Sequence, residues 1–419
     1  MPPINKISVV GLGKLGACMA ATFAQRGCEV IGVDINAAAV AKLNAGQPPV
    51  DEPRLAETLA QSGGRLRATT DAREAALTDA TFFIVPSPSL PDGSFSNEFL
   101  MRALLPVVQA VRAAGKKNHL FICSSTTTPG TLRSVVIPFM ERELGGVCGK
   151  DFGFCYNPEF IALGDVVRGL LAPDLVLIGE SDTASGDRLA ELYTRYNTNQ
   201  PHVARMSITS AELTKISINS YITTKISFTN QLRLIAAGYP DTDIHAMLDA
   251  IGSDSRIGRK YLKAGLSFGG PCFPRDNRLI VYAAKQVGLP APLAEATDTV
   301  NELTKEKLAE QVKSSVKTGD TIVVLGMTYR PDTHIVEESA GLHLAQALKR
   351  HGCRVLIHDY CANTTNSPAL LEFETLSDPA LLHREKNLKA IVIACPSAGY
   401  KNLDFPPAVR LLDPWGLLA

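Results

Sequence analysis

The decapeptide "SFGGPCFPRD", residues 267 to 276, sets Cys272 between Pro271 and Pro274, behind Gly269 and Gly270, with Arg275 and Asp276 close after it. A stiffly held thiol can attack a carbonyl carbon, whereas most lone cysteines are small buried hydrophobes. Other reactive groups lie elsewhere in the chain. Lys215 and Asn219 are four residues apart in "AELTKISINSYITTK", which puts them on one face of a helix. Glu159 follows a proline in "YNPEFIALG", a segment with loop character, and Thr126 sits in "SSTTTPGT". Together with Asp276 these make a thiol, a cation, an amide, two carboxylates and a hydroxyl.

Were these groups to converge beside a nicotinamide, the thiolate would capture an aldehyde as a thiohemiacetal. Hydride loss would then give a thioester, and water would release an acid. Lys215 and Asn219 would stabilise the oxyanion, and Glu159 would activate the hydrolytic water. Spacing alone leaves a plainer reading open, with Lys215 and Glu212 as solvated helix charges, Asn219 at a polar interface, Glu159 on a loop surface and Cys272 inert. No CxxC or HExxH pattern occurs, so no metal site is expected.

The elements that must position these groups begin at "ISVVGLGKLGACMAATFAQRGCEVIGVD". This reads as strand, glycine-rich turn, helix and second strand. Gly11 permits the tight turn, Gly13 lets the backbone approach a pyrophosphate, and Gly16 allows helix and sheet to pack closely; Leu15 lies in the same turn. Asp34, at the end of the second strand, is placed for ribose hydroxyls and favours NAD over NADP. Strand candidates at 81–89 and 119–131 end in small hydroxyl residues, so Ser87, Ser125, Thr126 and Thr127 border the ligand end of a parallel sheet. Singly, each is as well explained as loop punctuation.

From Thr209 to about Ala237 the chain runs without Pro or Gly, which predicts a long central helix, opened by a Thr209–Glu212 capping box. A second strand-turn-helix-strand unit begins at "DTIVVLGMTYRPDT" and closes at "CRVLIHDY", with a further strand at "KAIVIAC". The expected fold is therefore α/β, with two Rossmann-like domains joined by a long central helix and helical segment: 1–205 for NAD, 206–305 for the helix and the cysteine loop, and 306–419 for the second Rossmann-like unit.

Composition agrees with a globular protein. Of 419 residues, 45% are hydrophobic, and 42 basic residues balance 42 acidic ones. That balance argues against nucleic acid or a membrane surface as partner. Nine cysteines without repeated short spacing fit reduced thiols in a cytoplasm, and the first residues have no signal-peptide pattern.

The segments "VVGLGKLG", "SSTTTPGT", "YNPEF", "AELTKISINSYITTKISFTNQL", "FGGPCFPRD" and "LGMTYRPDT" resemble, in order and spacing, the UDP-glucose/GDP-mannose dehydrogenase family. The resemblance implies a four-electron oxidation of the C6 hydroxymethyl of a nucleotide sugar to a carboxylate, with NAD in the first lobe and the nucleotide in the second. It implies Cys272 as nucleophile, supported by Lys215, Asn219, Glu159, Asp276 and Thr126, with Gly11, Gly13, Leu15, Gly16, Asp34, Ser87 and Thr126 around the cofactor. Glu159, Phe160, Lys215, Asn219, Arg256, Phe268, Gly269, Tyr329 and Arg330 would meet the substrate, and the central helix would form a homodimer.

Several positions depart from the family pattern. Ala162 and Leu163 stand where an acid is usual, Leu175 where Arg is common, Pro271 for Ser, and Arg275 for Lys. "RPDTHIVEES" has His334, Ile335 and Glu337 where relatives carry two acids and then an arginine that faces the cofactor. Among substrates UDP-glucose comes first, with UDP-N-acetylhexosamines and GDP-mannose as alternatives. A two-electron 3-hydroxyacid dehydrogenase, which would not need Cys272, and a catalytically silent nucleotide-sugar-binding protein are the readings from other classes.

Overall fold

The computed structural model describes residues 3–161 and 163–418; Ala162, one of the departures noted above, lies outside the described residues. The chain divides into two compact units, Met1–Ile216 and Ser217–Ala419.

The first unit is built on eight strands: β1 (Lys6–Val10), β2 (Glu29–Val33), β3 (Leu66–Thr69), β4 (Ala80–Phe83), β5 (Leu120–Cys123), β6 (Gly153–Tyr156), β7 (Leu175–Glu180) and β8 (His202–Ser207). They lie in the order β3-β2-β1-β4-β5-β6-β7-β8, parallel except for the β6–β7 pair. The first six reproduce the 3-2-1-4-5-6 order of dinucleotide-binding folds. β4, β5 and β6 are buried along their whole length, as befits strands covered on both faces. Two apolar clusters fill the two sides of the sheet, one around Phe23 and Phe82, the other around Phe83 and Phe121. Helices α1 (Lys14–Gln25) and α2 (Thr183–Tyr196) both contribute to the first cluster.

Helix α3 (Ile208–Ala236) is 29 residues long, within a residue of the span its lack of Pro and Gly predicts. The expected capping box is not formed. The helix starts one residue before Thr209, Ser207 Oγ accepts from the Ser210 N–H, and Glu212 turns inward. Its fully buried carboxylate accepts from Thr127 Oγ1 (2.9 Å), Gly130 N–H (2.8 Å) and Leu132 N–H (3.2 Å). It is neither a cap nor a solvated charge but the clamp of the loop after β5.

The second unit carries α4 (Phe273–Gln286), α5 (Pro292–Lys313) and a five-stranded sheet of β9 (Thr321–Leu325), β10 (Arg354–His358), β11 (Glu374–Thr375), β12 (Leu388–Ile393) and β13 (Arg410–Leu412). The order β11-β10-β9-β12-β13 is parallel throughout. Helix α6 (Ala340–Arg350) packs its apolar face on that sheet. Two Rossmann-like sheets and the long helix are thus present. The strands at 81–89 and 119–131 are shorter than expected because the chain leaves the sheet at Ile84, three residues before Ser87, and at Ser124, where the second hydroxyl cluster begins.

Candidate active site

Parallel registry of β1 and β2 sets Val10 beside Val33, so the glycine turn and Asp34 emerge side by side. Gly11 has φ +99° and donates to Val33 O at 2.8 Å; a Cβ there would lie 2.1 Å from Ile84 O. A Cβ on Gly16 would lie 1.8 Å from Gly11 O, so that glycine is required for helix α1 to dock. Gly13 differs: a Cβ would meet nothing within 4 Å, although Gly13 caps α1 with an ordinary φ of −69°. The protein does not need glycine there for its own packing, and the open space at a helix N-terminus fits a pyrophosphate. Asp34 accepts from Leu12 N–H (2.6 Å) and Asn36 N–H (2.8 Å), one donor per oxygen, which leaves lone pairs for ribose hydroxyls. The residues present therefore fit a dinucleotide. Leu15 packs partly into the core. Ile35, beside Asp34, is 94% exposed and offers an apolar surface that periodicity alone does not flag.

The hydroxyl run after β5 divides by use. Ser125 exchanges hydrogen bonds with the Val85 backbone (2.9 and 2.8 Å), Thr127 holds Glu212, and Thr128 accepts from Phe95 N–H at 2.9 Å. These three are structural. Half-buried Thr126 has no side-chain partner among the described residues, and Ser87 is half-buried beyond β4.

Within the same unit Glu159 and Lys215 are electrostatically coupled. Burial pushes the Glu159 carboxyl up to about 7, against the opposing pull of the Lys215 ammonium and a hydrogen bond from Tyr193. The Tyr193 hydroxyl donates to Asn157 Oδ1 (2.5 Å) and, at 3.5 Å, to Glu159 Oε1, while Asn157 Nδ2 donates to Leu177 O. Lys215 is 6% exposed; its Nζ lies 4.8 Å from the centre of the Phe160 ring. It has no hydrogen bond or ion pair among the described residues.

In the second unit Cys272 is the exposed N-cap of α4, with Pro274 in the first turn. Charge developing on or beside the sulfur faces the positive end of that helix. Asp276, also in the first turn, is 4% exposed and accepts from Asn219 Nδ2 at 2.6 Å. Two buried asparagines grip the approach to the thiol. Asn230 pairs with Gly265 N–H and Leu266 O, and Asn301 with both Phe268 N–H (2.8 Å) and Phe268 O (3.1 Å). Past them, Gly269 has no room for a Cβ against Glu338 O, nor Gly270 against the Tyr329 ring. Arg330 is half-buried, its Nε donating to Pro331 O at 3.3 Å. Arg256 stands on the surface, paired with Asp254 at 2.6 Å.

The turn after β9 repeats the first turn and then diverges. Gly326 donates to His358 O at 2.8 Å, and a Cβ on Gly341 would lie 2.2 Å from Gly326 O. Asp359 occupies the place of Asp34, but its carboxylate already accepts five donors: the N–H groups of Met327, Thr328, Cys361 and Ala362 and the Thr328 hydroxyl. Between Met327 and α6 the second turn runs Thr328–Ser339, where the first has only Gly13 between Leu12 and α1, so Tyr329–Ser339 is an insertion. The second turn thus keeps the glycine–aspartate plan of the first, with its aspartate fully engaged.

Three family profiles match in succession, all of the UDP-glucose/GDP-mannose dehydrogenase family: the NAD binding domain over residues 5–197, the central domain over 209–303 and the UDP binding domain over 323–415. The chain belongs to this family. It is similar to the UDP-glucose 6-dehydrogenase AglM of Haloferax volcanii, at 35% identity over 84% of this chain and 83% of that protein. It is also similar to the GDP-mannose 6-dehydrogenase of Azotobacter vinelandii, at 33% identity over 84% and 81%. A solved UDP-glucose dehydrogenase from the archaeon Pyrobaculum islandicum superimposes with a TM-score of 0.90 at 33% identity, covering 98% of this chain and 94% of that one. The family is one of NAD-dependent nucleotide-sugar dehydrogenases, so the protein is an oxidoreductase that uses NAD. No helix among the described residues is long and apolar enough to cross a membrane.

Proposed function

We propose that the protein oxidises the C6 hydroxymethyl of UDP-glucose to the carboxylate of UDP-glucuronate. In balance, the alcohol, one water and two NAD+ give the carboxylate, two NADH and three protons. Bound NAD+ supplies the hydride acceptor for both oxidations. On the protein's side, the Cys272 thiolate adds to the C6 aldehyde and is later expelled when water hydrolyses the thioester. Lys215 and Asn219 stabilise the oxyanion at each tetrahedral stage, with Asp276 fixing the Asn219 amide. Glu159 takes the proton of the hydrolytic water, and Thr126 orients a water or the substrate hydroxyl.

The observation that carries this reading is Lys215. A lysine 6% exposed, held over the Phe160 ring near Glu159 and lacking a hydrogen-bond partner among the described residues, keeps its N–H donors for a bound ligand. A merely structural lysine would sit in a closed ion pair.

Gly11, Gly13, Gly16, Asp34 and Ser87 are assigned to NAD. Phe160, Phe268, Gly269, Tyr329, Arg330 and Arg256 are assigned to the substrate, with the two arginines directed at phosphate oxygens. UDP-glucose is favoured by the 35% identical relative; GDP-mannose is the second reading, favoured by the 33% identical one, and UDP-N-acetylhexosamines the third. A homodimer through α3 is supported by Tyr221, Phe228 and Ile235, exposed by 66%, 49% and 50% at steps of seven along the helix, a spacing suited to a second copy of the same helix.

The test is NADH formed per sugar consumed, with limiting UDP-glucose and then each alternative sugar nucleotide. Two NADH and one uronate per sugar, with no acid from Cys272→Ser, is the expected result. One NADH per sugar in both proteins would replace the thioester scheme with a two-electron dehydrogenase.

A further inference from the structure

The insertion Tyr329–Ser339 is the part of the second Rossmann turn that the nucleotide fold itself does not require. It is held to the cysteine loop at three points. The Gly270 N–H donates to Glu337 O at 2.9 Å; Gly269 lies so close to Glu338 O that a Cβ would come within 2.3 Å; and Gly270, at φ +82°, lies against the Tyr329 ring. Both glycines directly precede the Pro271–Cys272 pair, so the position of this insertion fixes where the thiol can be.

What fixes the insertion is Glu338. Its backbone is left-handed, with φ +52°, a conformation a glutamate adopts only when its surroundings compel it. Its carboxylate bonds Arg278 on α4 at 2.6 Å and approaches Lys305 on α5 to 3.7 Å. Lys305 is itself almost fully covered and also pairs with Glu302 at 2.6 Å. Arg278 is six residues from Cys272 on the helix the cysteine caps. The carboxylate therefore ties the insertion to the same helix that carries the thiol, and the ion network with Lys305 braces both against α5. Ser339 completes the hold: its hydroxyl donates to Met327 O at 2.6 Å and accepts from the Leu342 N–H of α6.

We infer that Glu338 is a positioning residue for the Cys272 nucleophile, acting through Arg278 and the Gly269–Gly270 contacts, and that the insertion in the second Rossmann turn buttresses the reactive thiol in addition to presenting Tyr329 and Arg330. The inference rests on the proposed role of Cys272, but its first readout does not.

Asparagine and aspartate both tolerate a left-handed backbone, so Glu338→Asn removes the charge without adding strain and Glu338→Asp keeps it. Hydrogen exchange of the peptide covering 267–273 is followed in the full-length enzyme without substrate. Glu338→Asn is expected to speed exchange there about fivefold or more, with β9, β10 and the first unit unchanged and Glu338→Asp nearer the wild type. In turnover Glu338→Asn should lower kcat about tenfold with the KM for NAD unaltered. Unchanged exchange at 267–273, or faster exchange spread evenly over the second unit, would overturn the inference. If the wild type makes no NADH from any nucleotide sugar, the functional proposal fails while the exchange result still decides this one.

Discussion

Glu159→Gln should make the enzyme more stable and, at the same step, less able to finish its reaction. Burial raises this carboxyl from 4.5 to about 7. The native state therefore keeps its proton up to neutrality, whereas the unfolded side chain releases it near 4.5. Its contribution to stability is complete below about pH 4.5 and is lost as the pH rises through 7. Relative to a permanently neutral side chain, ionisation costs the fold about 3 kcal/mol at pH 8.5 and under about 1 kcal/mol at pH 5. For a unit of this size each kcal/mol moves Tm by about 2–4 °C, so Glu159→Gln should raise Tm by roughly 5–10 °C at pH 8.5 and by only a few degrees at pH 5. Scanning fluorimetry on both proteins across that range measures it. The ionised fraction of a base near 7 rises about tenfold from pH 6 to pH 8. Wild-type acid formation should follow that curve, and the variant should lose it and release aldehyde or stall as the thioester. A Tm gain that is the same at both pH values, or a wild-type profile flat from pH 6 to 8, would refute the reasoning.

Gly13→Ala should lower Tm by no more than a few degrees, because a Cβ there meets nothing within 4 Å and only the N-cap preference is lost, yet weaken NAD binding at least tenfold by calorimetry, whereas Gly16→Val should fail to fold stably. Glu337→Arg should leave the cysteine loop in place, since Glu337 holds it through its backbone carbonyl, and should lower the KM for NAD several-fold; an unchanged KM would refute a cofactor contact at this position. Replacing Tyr221 and Phe228 together by glutamate should turn a dimer into a monomer in sedimentation experiments, and a monomeric wild type would remove α3 as the interface.

The fold was legible because its signals are local. Glycine spacing, strands buried on both faces and a long stretch free of Pro and Gly each follow from neighbouring residues. The functional clusters were legible only as separate pieces. Lys215 and Asn219 share a helix face by spacing, but Tyr193 beneath Glu159 is 34 residues away, and a tyrosine in an amphipathic helix looks like any core residue. Glu212 misled in the opposite direction: at the start of a helix it matched a capping box, and only the tertiary fold turns it toward Thr127 and Gly130. Glu338 has no sequence signal, since its left-handed backbone arises from partners on two other helices. The hydroxyl run after β5 shows the same limit, because five adjacent small polar residues look alike until the structure says which are already engaged.

The two aspartates at the ends of β2 and β10 give mutations of one kind two different meanings. Asp34, with two donors, has acceptor capacity to spare, so exchanging it for a residue that admits a 2′-phosphate would be felt by the ligand and could retune cofactor choice without disturbing the scaffold. Asp359 has five donors and none to spare, so the same exchange would strand backbone amides and be felt by the protein's own folding. Cofactor redesign in this architecture thus has one address, although the chain carries two turns of the same shape.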